Sequence, residues 1–242
     1  MTFAAGVAVP AHLFVDALAD ECTVDGRDGH HLQRVRRLRV GEHVTAADGD
    51  GAWRRYEIVA SAGGQLELAA RGAIEHEPDV QPRVGLALAL TKGGIDAAIA
   101  RATELGVAWI EPLEAARSVA RFDHGRAEHA YERWRTVVRE AAAQSRRARL
   151  PEIRPRVRLA DLAVRPGALL ADRTGVPAAA LPPPPALGWT VVVGPEGGFE
   201  PAEVDVLSGM PRLAVGPFVL RAETAPVAAV ASLMSQEAPG SV

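Results

Sequence analysis

The sequence predicts an α/β protein in which a small β-barrel domain precedes a domain built on a mostly parallel sheet. Residues 1–77 contain short β-prone segments separated by hairpin signals, whereas buried apolar strands alternate with helices over residues 84–242. At 242 residues the chain is long enough for two domains, each with its own core. Residues 78–83 contain two prolines and no periodicity, which predicts a linker between them.

The predicted first domain is a barrel with one short helix. Two glycine-rich turns, DGDG at 48–51 and SAGG at 61–64, are typical of hairpins. They separate the β-prone segments at 7–9, 43–45, 53–59 and 65–69. A helix is expected over residues 28–38.

The predicted second domain alternates strands with helices. Apolar runs at 84–90, 107–110, 168–171, 190–193 and 212–215 are the expected strands. Helices are expected over 95–105, 127–147 and 224–235, with another beginning near Glu200. This alternation is typical of a parallel sheet whose two faces are both covered.

Composition narrows the function classes. The hydrophobic fraction of 48% and the charged fraction of 24% are those of an ordinary globular protein. Cys22 is the single cysteine, so no disulfide can form within the chain, which suits a reducing compartment. No leader peptide and no run long enough to span a bilayer is recognisable. We therefore expect a cytoplasmic protein with no membrane partner.

Basic residues are clustered, although the net charge is −3. Residues 131–158 contain nine arginines against three glutamates, and residues 30–39 contain four arginines, two histidines and no acid. Lys92 is the single lysine, a shortage that genomic composition alone could explain. Because arginine binds phosphate through a planar fork, the two clusters indicate contact with nucleic acid.

Two loops that follow buried strands contain more glycine than a turn needs. One is GPEGG at 194–198, and the other begins with Gly216-Pro217 after the apolar run at 212–215. Ligands of parallel sheets bind at the carboxyl ends of the strands, so these loops are candidates for a shared pocket. The alternative is a tight turn followed by a helix cap. Neither loop matches a Walker A or a GxGxxG pattern, which disfavours phosphate binding by those routes.

Six stretches together resemble the RsmE family of 16S ribosomal RNA uracil-N3 methyltransferases, within the SPOUT superfamily. They occur in family order over nearly the whole chain: HHLQRVRRLRVGE (30–42), TKGGIDAAIARATELGV (91–107), ARSVAR (116–121), EAAAQSRRARLPEI (140–153), GPEGGF (194–199) and LAVGPFVLRAETA (213–225). One departure is that Pro217-Phe218 stands where family members often have an arginine.

The resemblance implies a PUA-like RNA-binding domain at residues 1–77, a linker at 78–83, and a SPOUT methyltransferase domain with a trefoil knot at 84–242. It also implies a homodimer, S-adenosyl-L-methionine (SAM) as cofactor, and 16S ribosomal RNA or the small ribosomal subunit as partner, with uracil 1498 as the target. Glycines allow a close approach of the backbone to the cofactor. The implied cofactor-binding residues are Gly194, Glu196, Gly197, Gly198, Val215, Gly216, Leu220 and Arg221.

Arg221 and Glu223 are the candidate catalytic residues. Neutral uracil N3 is a poor nucleophile, so a cation near the uracil carbonyls would favour the anion, and a carboxylate or water could accept the proton. Alternatively, Arg221 contacts phosphate or a second subunit, and Glu223 is a carboxylate near a helix N-terminus.

The candidate RNA-binding residues lie in the two basic clusters. Glu140, Gln144 and Arg147 are spaced to share one face of a helix. The resemblance implies that this face contacts RNA or the active site of a second subunit, and a solvated polar stripe is the alternative. No Cys or acid cluster accompanies the two adjacent histidines, so no metal is expected. The full set is His30, His31, Arg34, Arg36, Arg37, Glu140, Gln144, Arg146, Arg147 and Arg149.

Three other functions remain open. A non-catalytic RNA-binding module would need the basic clusters but not the two glycine loops. A nucleotide-binding metabolic enzyme would have no use for the arginines of residues 133–149. A related SPOUT methyltransferase could act on another RNA or on a ribose hydroxyl.

Overall fold

The computed structural model describes residues 11–34, 37–90, 95–118 and 124–236, except for the side chains of residues 27, 28, 31 and 124–126. These residues form two compact units. The first contains the described residues up to Asp79 together with Arg139–Leu150. The second contains Val80–Val138 and the described residues from Pro151 onward. The sequence had suggested that residues 139–150 belong with the second domain, and the structure groups them with the first.

The first unit is a six-stranded, largely antiparallel sheet with one helix. Its strand order is β1-β3-β4-β5-β2, β6 pairs with β4, and only β1 and β3 are parallel. Apolar side chains from the strands and the helix, among them Tyr56, Ile58 and Leu66, form its buried core. The elements are β1 (His12–Phe14), β2 (Glu21–Val24), α1 (Gly26–Arg34), β3 (His43–Ala47), β4 (Ala52–Ala62), β5 (Gln65–Ala70) and β6 (Glu75–His76).

Both predicted hairpins are confirmed. At the first turn the Asp48 carboxylate accepts hydrogen bonds from the N–H groups of Asp50 and Ala52. The helix predicted over 28–38 is instead Gly26–Arg34. Arg37 has a φ of 55°, which a right-handed helix cannot accommodate. The strand predicted at 7–9 lies outside the described residues.

The second unit is a seven-stranded sheet in which every pairing is parallel, as predicted. Its strand order is β10-β8-β7-β12-β11-β13, and β9 pairs with β8. The elements are β7 (Val84–Ala89), α2 (Asp96–Glu104), β8 (Trp109–Glu114), α3 (His124–Ser145), β9 (Glu152–Ile153), β10 (Val157–Arg158), α4 (Leu159–Ala163), β11 (Ala168–Val176), β12 (Trp189–Val193), α5 (Pro201–Leu207), β13 (Arg212–Leu213) and α6 (Ala225–Met234). The part of α3 from Arg139 onward belongs to the first unit.

The central strands of this sheet are covered on both faces. Every residue of β7 and of β12 is buried. Ala87 and Ala89 pack in a cluster with residues of α4 and α5. Leu86 and Leu88, which alternate with them along β7, are equally buried and face the other side of the sheet. Helix α6 packs on β7, β12 and α2. In the described part of the chain, no helix has the length and hydropathy needed to cross a membrane.

Candidate functional site

The loop after β12 is a tight turn that uses only part of its glycine. The Gly198 N–H donates to the Pro195 carbonyl over 2.9 Å, and Gly198 has a φ of +69°, which favours glycine. Gly194 is also required, because a Cβ there would lie 2.7 Å from the Phe199 ring. Gly197 is different: its φ is not positive, and a Cβ would lie no closer than 3.5 Å, from Arg117 Cδ. The fold therefore tolerates a side chain at Gly197.

The residues that follow β8 are bonded to this turn. The Arg117 guanidinium donates from Nη1 to the Gly197 carbonyl over 2.6 Å. The Glu203 carboxylate, in the first turn of α5, accepts from the Ala116 N–H over 2.7 Å and from the Glu200 N–H over 2.9 Å. The RSV-like stretch found in the sequence therefore lies against the glycine turn, a contact that the sequence did not predict.

The second loop leaves β13 and is open. Gly216 has a φ of +150°, and a Cβ there would meet no atom within 4 Å. Among the described residues, no main-chain carbonyl accepts from any N–H between residues 215 and 223. Phe218 and Val219 are 78% and 84% exposed. The N–H groups of this loop are therefore not used by the main chain of the described residues.

The two loops emerge from the same edge of the sheet because β12 and β13 are both parallel to β11, which lies between them. Asp172 lies in the middle of β11, and its carboxylate accepts hydrogen bonds from Thr174 and pairs with Arg212 of β13 at 2.8 Å. Partial burial alone would raise the pKa of Asp172, but the bonds from Thr174 and the charge of Arg212 outweigh it and hold the pKa below its ordinary value. No pattern in the sequence predicted this cluster.

The two candidate catalytic side chains lie just before α6. Arg221 and Glu223 are both exposed, and neither forms an ion pair with another described residue. The Arg221 carbonyl accepts from the N–H groups of Thr224 and Ala225, which fixes the backbone where the helix begins. Within the described residues, no hydrogen bond or ion pair joins these side chains to the Gly194–Gly198 turn. Glu196 is exposed, whereas Val215 and Leu220 are half-buried.

The arginine cluster of residues 131–158 is largely neutralised. Among the described residues, five of its nine arginines pair with carboxylates that lie within 4 Å, and four of those carboxylates lie on other segments of the chain or on neighbouring turns. The pairs are Arg133–Asp96, Arg149–Asp79, Arg154–Glu152, Arg156–Glu114 and Arg158–Asp161. The local charge counted along the sequence is therefore not an open basic surface of the same size.

The prediction that Glu140, Gln144 and Arg147 share one helix face is wrong for Arg147. Glu140 and Gln144 are exposed on α3, but the helix ends at Ser145 and Arg146 has a φ of 60°. The chain turns there because a left-handed residue after a helix reverses its direction.

Arg147 is buried within the first unit, whereas Arg149 is exposed on it and stays a candidate for RNA contact. Arg147 is 9% exposed, and burial lowers its pKa even though the charge of Glu77 opposes the effect. The Arg149 guanidinium lies against Gly51, where a Cβ would be 2.6 Å from Nη2, and pairs with Asp79 at 3.5 Å. Burial removes Arg147 from any surface that RNA could contact directly.

Three candidate RNA contacts lie on or just after α1. His30, Arg34 and Arg37 are exposed, and neither arginine pairs with a carboxylate of another described residue. The His30 ring is close to Gly64 in the turn between β4 and β5. The side chain of His31 and the whole of Arg36 lie outside the described residues. Nor do the described residues contain a group of three His, Cys, Asp or Glu side chains arranged to bind a metal.

Comparison with protein families decides the class of this fold. A model described as an RNA methyltransferase domain matches residues 78–234, and one described as an RNA methyltransferase PUA domain matches residues 24–69. A curated Mycobacterium bovis protein, ribosomal RNA small subunit methyltransferase E, is 35% identical over 237 residues, covering 91% of this chain and 89% of its own. The chain belongs to the ribosomal RNA small subunit methyltransferase E family.

Other methyltransferase E relatives and solved structures agree. The Bacillus subtilis protein of that name is 27% identical and covers 88% of this chain and 90% of its own. A Legionella pneumophila methyltransferase structure with bound SAM matches at 25% identity with a TM-score of 0.82, covering 95% of this chain and 98% of its own. The Neisseria gonorrhoeae methyltransferase E, solved with SAM, shares the fold at 23% identity, with a TM-score of 0.81 and coverage of 93% and 97%.

Family membership confirms three predictions: the resemblance, the α/β class with a PUA-like first domain, and an enzyme of the RNA methyltransferase class. The cofactor prediction agrees with the SAM held by two structural neighbours. The knot, the homodimer, the domain limits, the uracil target and the individual site residues stay predictions.

Proposed function

We propose that this protein transfers the methyl group of SAM to N3 of a uracil in 16S ribosomal RNA, with uracil 1498 as the target. One observation carries the proposal: a family methyltransferase domain presents two glycine loops at the carboxyl edge of its parallel sheet. The proposed setting is the cytoplasm, and the proposed substrate is 16S RNA or the small subunit.

The residues present fit a bound SAM molecule. Gly197 needs no glycine for the fold, and Gly216 has open space at its Cα. Gly216 already needs glycine for its φ of +150°, so a ligand that approaches the backbone closely is needed to explain only the glycine at position 197. The proposed cofactor contacts are Gly194, Glu196, Gly197, Gly198, Val215, Gly216, Leu220 and Arg221. A knotted chain path and a homodimer complete the proposal.

When bound, SAM supplies an electrophilic methyl group on a sulfonium. The protein's task is to present a deprotonated uracil N3 to it. In the proposal, the Arg221 guanidinium donates to a uracil carbonyl oxygen and stabilises the negative charge of the N3 anion. Glu223 accepts the N3 proton, directly or through water. The exposure of both groups permits contact with a base that RNA delivers from outside.

The target base must be unpaired or flipped out, because N3 lies on the Watson–Crick edge. The described candidates for phosphate contact are His30, Arg34, Arg37, Arg146 and Arg149. Glu140 and Gln144, exposed near the end of α3, are proposed to contact RNA through other groups or to face the active site of a second subunit. The neutralised arginines of residues 131–158 predict a smaller salt dependence of RNA binding than their number implies.

Calorimetric titration with SAM tests the cofactor site. We expect the wild type to bind and Gly197→Val to lose at least about tenfold in affinity, because valine is compatible with the fold there but occupies the approach to the backbone. Gly209→Val is the matched control, since Gly209 also lacks a positive φ and has open space around it. Unimpaired binding by Gly197→Val would remove this loop from the cofactor site.

Methylation of small-subunit RNA from cells that lack this modification tests the target. Reverse transcriptase stops at a base whose pairing edge is blocked, so a stop at uracil 1498 that depends on protein and SAM is the expected result. A stop elsewhere, or methylation of a ribose, would favour a related SPOUT methyltransferase.

Glu223→Gln is expected to lower kcat about 100-fold with little change in SAM affinity.

A further inference from the structure

The Gly197–Gly198 peptide is fixed from both sides before any cofactor binds. Its carbonyl accepts from the Arg117 guanidinium over 2.6 Å, and its N–H donates to the Pro195 carbonyl over 2.9 Å. The second of these bonds lies within the turn. The first comes from a residue 80 positions away, in the stretch that follows β8.

Arg117 is itself placed by a carboxylate. Glu203 accepts from the N–H of Ala116 and from the N–H of Glu200, so one side chain ties the stretch after β8 to the first turn of α5. Arg117 Nε also lies 4.0 Å from Glu200 Oε1. One hydrogen bond therefore joins this stretch to the turn, a second joins it to Glu203 in α5, and the Arg117 guanidinium lies within ion-pair distance of Glu200.

We propose that Arg117 is a positioning residue for the cofactor loop: its guanidinium, placed by Glu203, holds the Gly197–Gly198 peptide in the orientation that SAM binds. This inference rests on the proposed function. A free glycine-rich turn samples many backbone orientations, and a ligand that selects one of them loses affinity in proportion. A hydrogen bond from the charged Arg117 side chain reduces the number of orientations that the peptide samples, although Arg117 itself does not contact the cofactor.

The test is SAM affinity and steady-state kinetics in variants of the full chain. Arg117→Ala is expected to raise the Kd and the KM for SAM about tenfold, the scale of one charge-assisted hydrogen bond at a partly exposed site. The KM for RNA and kcat at saturating SAM are expected to stay near wild type. Arg117→Lys, which keeps one charged donor, should recover part of the affinity. Glu203→Gln should weaken SAM binding less than Arg117→Ala, because its amide retains one acceptor oxygen.

Two controls separate positioning from general stability. Arg158→Ala removes another exposed arginine, paired with Asp161, and Asp205→Asn changes another carboxylate of α5. Both should bind SAM like the wild type, and thermal unfolding should show Arg117→Ala folded at the assay temperature.

The outcomes are distinguishable. Failure of the wild type to bind SAM, with or without RNA, overturns the proposed function. Binding by the wild type with unchanged SAM affinity in Arg117→Ala overturns the positioning role alone. An equal loss in Arg117→Ala and Arg158→Ala would also overturn it, because a nonspecific effect of lost charge would then explain both.

Discussion

The His12 imidazole donates a hydrogen bond from Nε2 to the main-chain carbonyl of Arg147 over 3.0 Å, although 135 positions separate them in the sequence. Because a carbonyl can only accept, Nε2 carries the proton, and Nδ1 accepts from the Thr45 hydroxyl over 2.7 Å. The buried ring thus anchors residues 139–150 within the first unit in its neutral form.

The burial of the His12 ring predicts a loss of stability in mild acid. Burial is the main cause that lowers the pKa of His12 from 6.5 to about 4, with the charge of Arg146 adding to it and the bond to Arg147 opposing it. Between these values the unfolded chain binds a proton that the folded protein does not. Stability from this group is therefore complete above pH 6.5 and falls as the pH drops toward about 4, by roughly 3 kcal/mol in all.

Urea unfolding at pH 7 and at pH 4.5 measures this effect, with His12→Gln as the comparison because glutamine does not titrate. The carboxylates titrate in both proteins, so the difference between the two pH dependences isolates His12. The prediction would be contradicted if the free energy of unfolding changed equally between the two pH values in the wild type and in His12→Gln.

Removing the Glu77 carboxylate is expected to destabilise the first unit. Its Oε2 accepts from the N–H groups of Ala148 and Arg149, and Glu77→Ala leaves both donors without this acceptor. The expected loss in the free energy of unfolding is about 1–3 kcal/mol. Glu75→Ala, at an exposed position in β6, is the control and should change stability by less than about 0.5 kcal/mol. Equal losses in the free energy of unfolding for Glu77→Ala and Glu75→Ala would contradict the prediction.

Gly85→Ala is expected to disrupt the packing of Trp109. A Cβ at Gly85 would lie 1.8 Å from the indole, which also carries the Arg154 guanidinium 4.3 Å from its centroid. Because neither the backbone nor the buried indole can give way freely, we expect a loss of at least about 2 kcal/mol in the free energy of unfolding.

A double-mutant cycle with Trp109→Leu checks this cause. The smaller side chain should make Gly85→Ala less costly, and Gly209→Ala, made in open space, should cost little. Additive effects of the Gly85 and Trp109 changes would rule out the steric explanation.

Arg37 offers a way to separate RNA contact from stability. Its φ of 55° is strained for arginine and natural for glycine. Arg37→Ala and Arg37→Gly both remove the guanidinium, so both should weaken RNA binding and lower its dependence on salt by about one ion. Glycine should leave the protein more stable than alanine by about 1 kcal/mol. Equal RNA affinity in both variants and in the wild type would remove Arg37 from the RNA surface.

The sequence predicted the features that arise from local pattern. The apolar runs became buried parallel strands because a strand covered on both faces must be apolar throughout. The turns at 48–51 and 61–64 formed hairpins because glycine accommodates the positive φ that they require. The glycine loops, and the resemblance that they carry, led to the methyltransferase E family.

Tertiary contacts decided what the local pattern could not. The arginines of residues 131–158 read as a basic cluster along the chain, but carboxylates such as Asp79, Asp96 and Glu114, brought close by folding, neutralise much of it. Helical spacing placed Arg147 on the face of Glu140, yet the chain reverses at Arg146 and buries it. The spacing of residues along one segment does not show which residues from distant segments will contact it after folding.

For this protein, the sequence by itself determined the two-part α/β architecture and the family, because periodicity, turn residues and motif order are properties of short segments. Only the tertiary structure decided that residues 139–150 join the first unit through His12 and Glu77. It also brought Arg117 to the carbonyl of Gly197, because such bonds depend on the positions of atoms far apart in the chain.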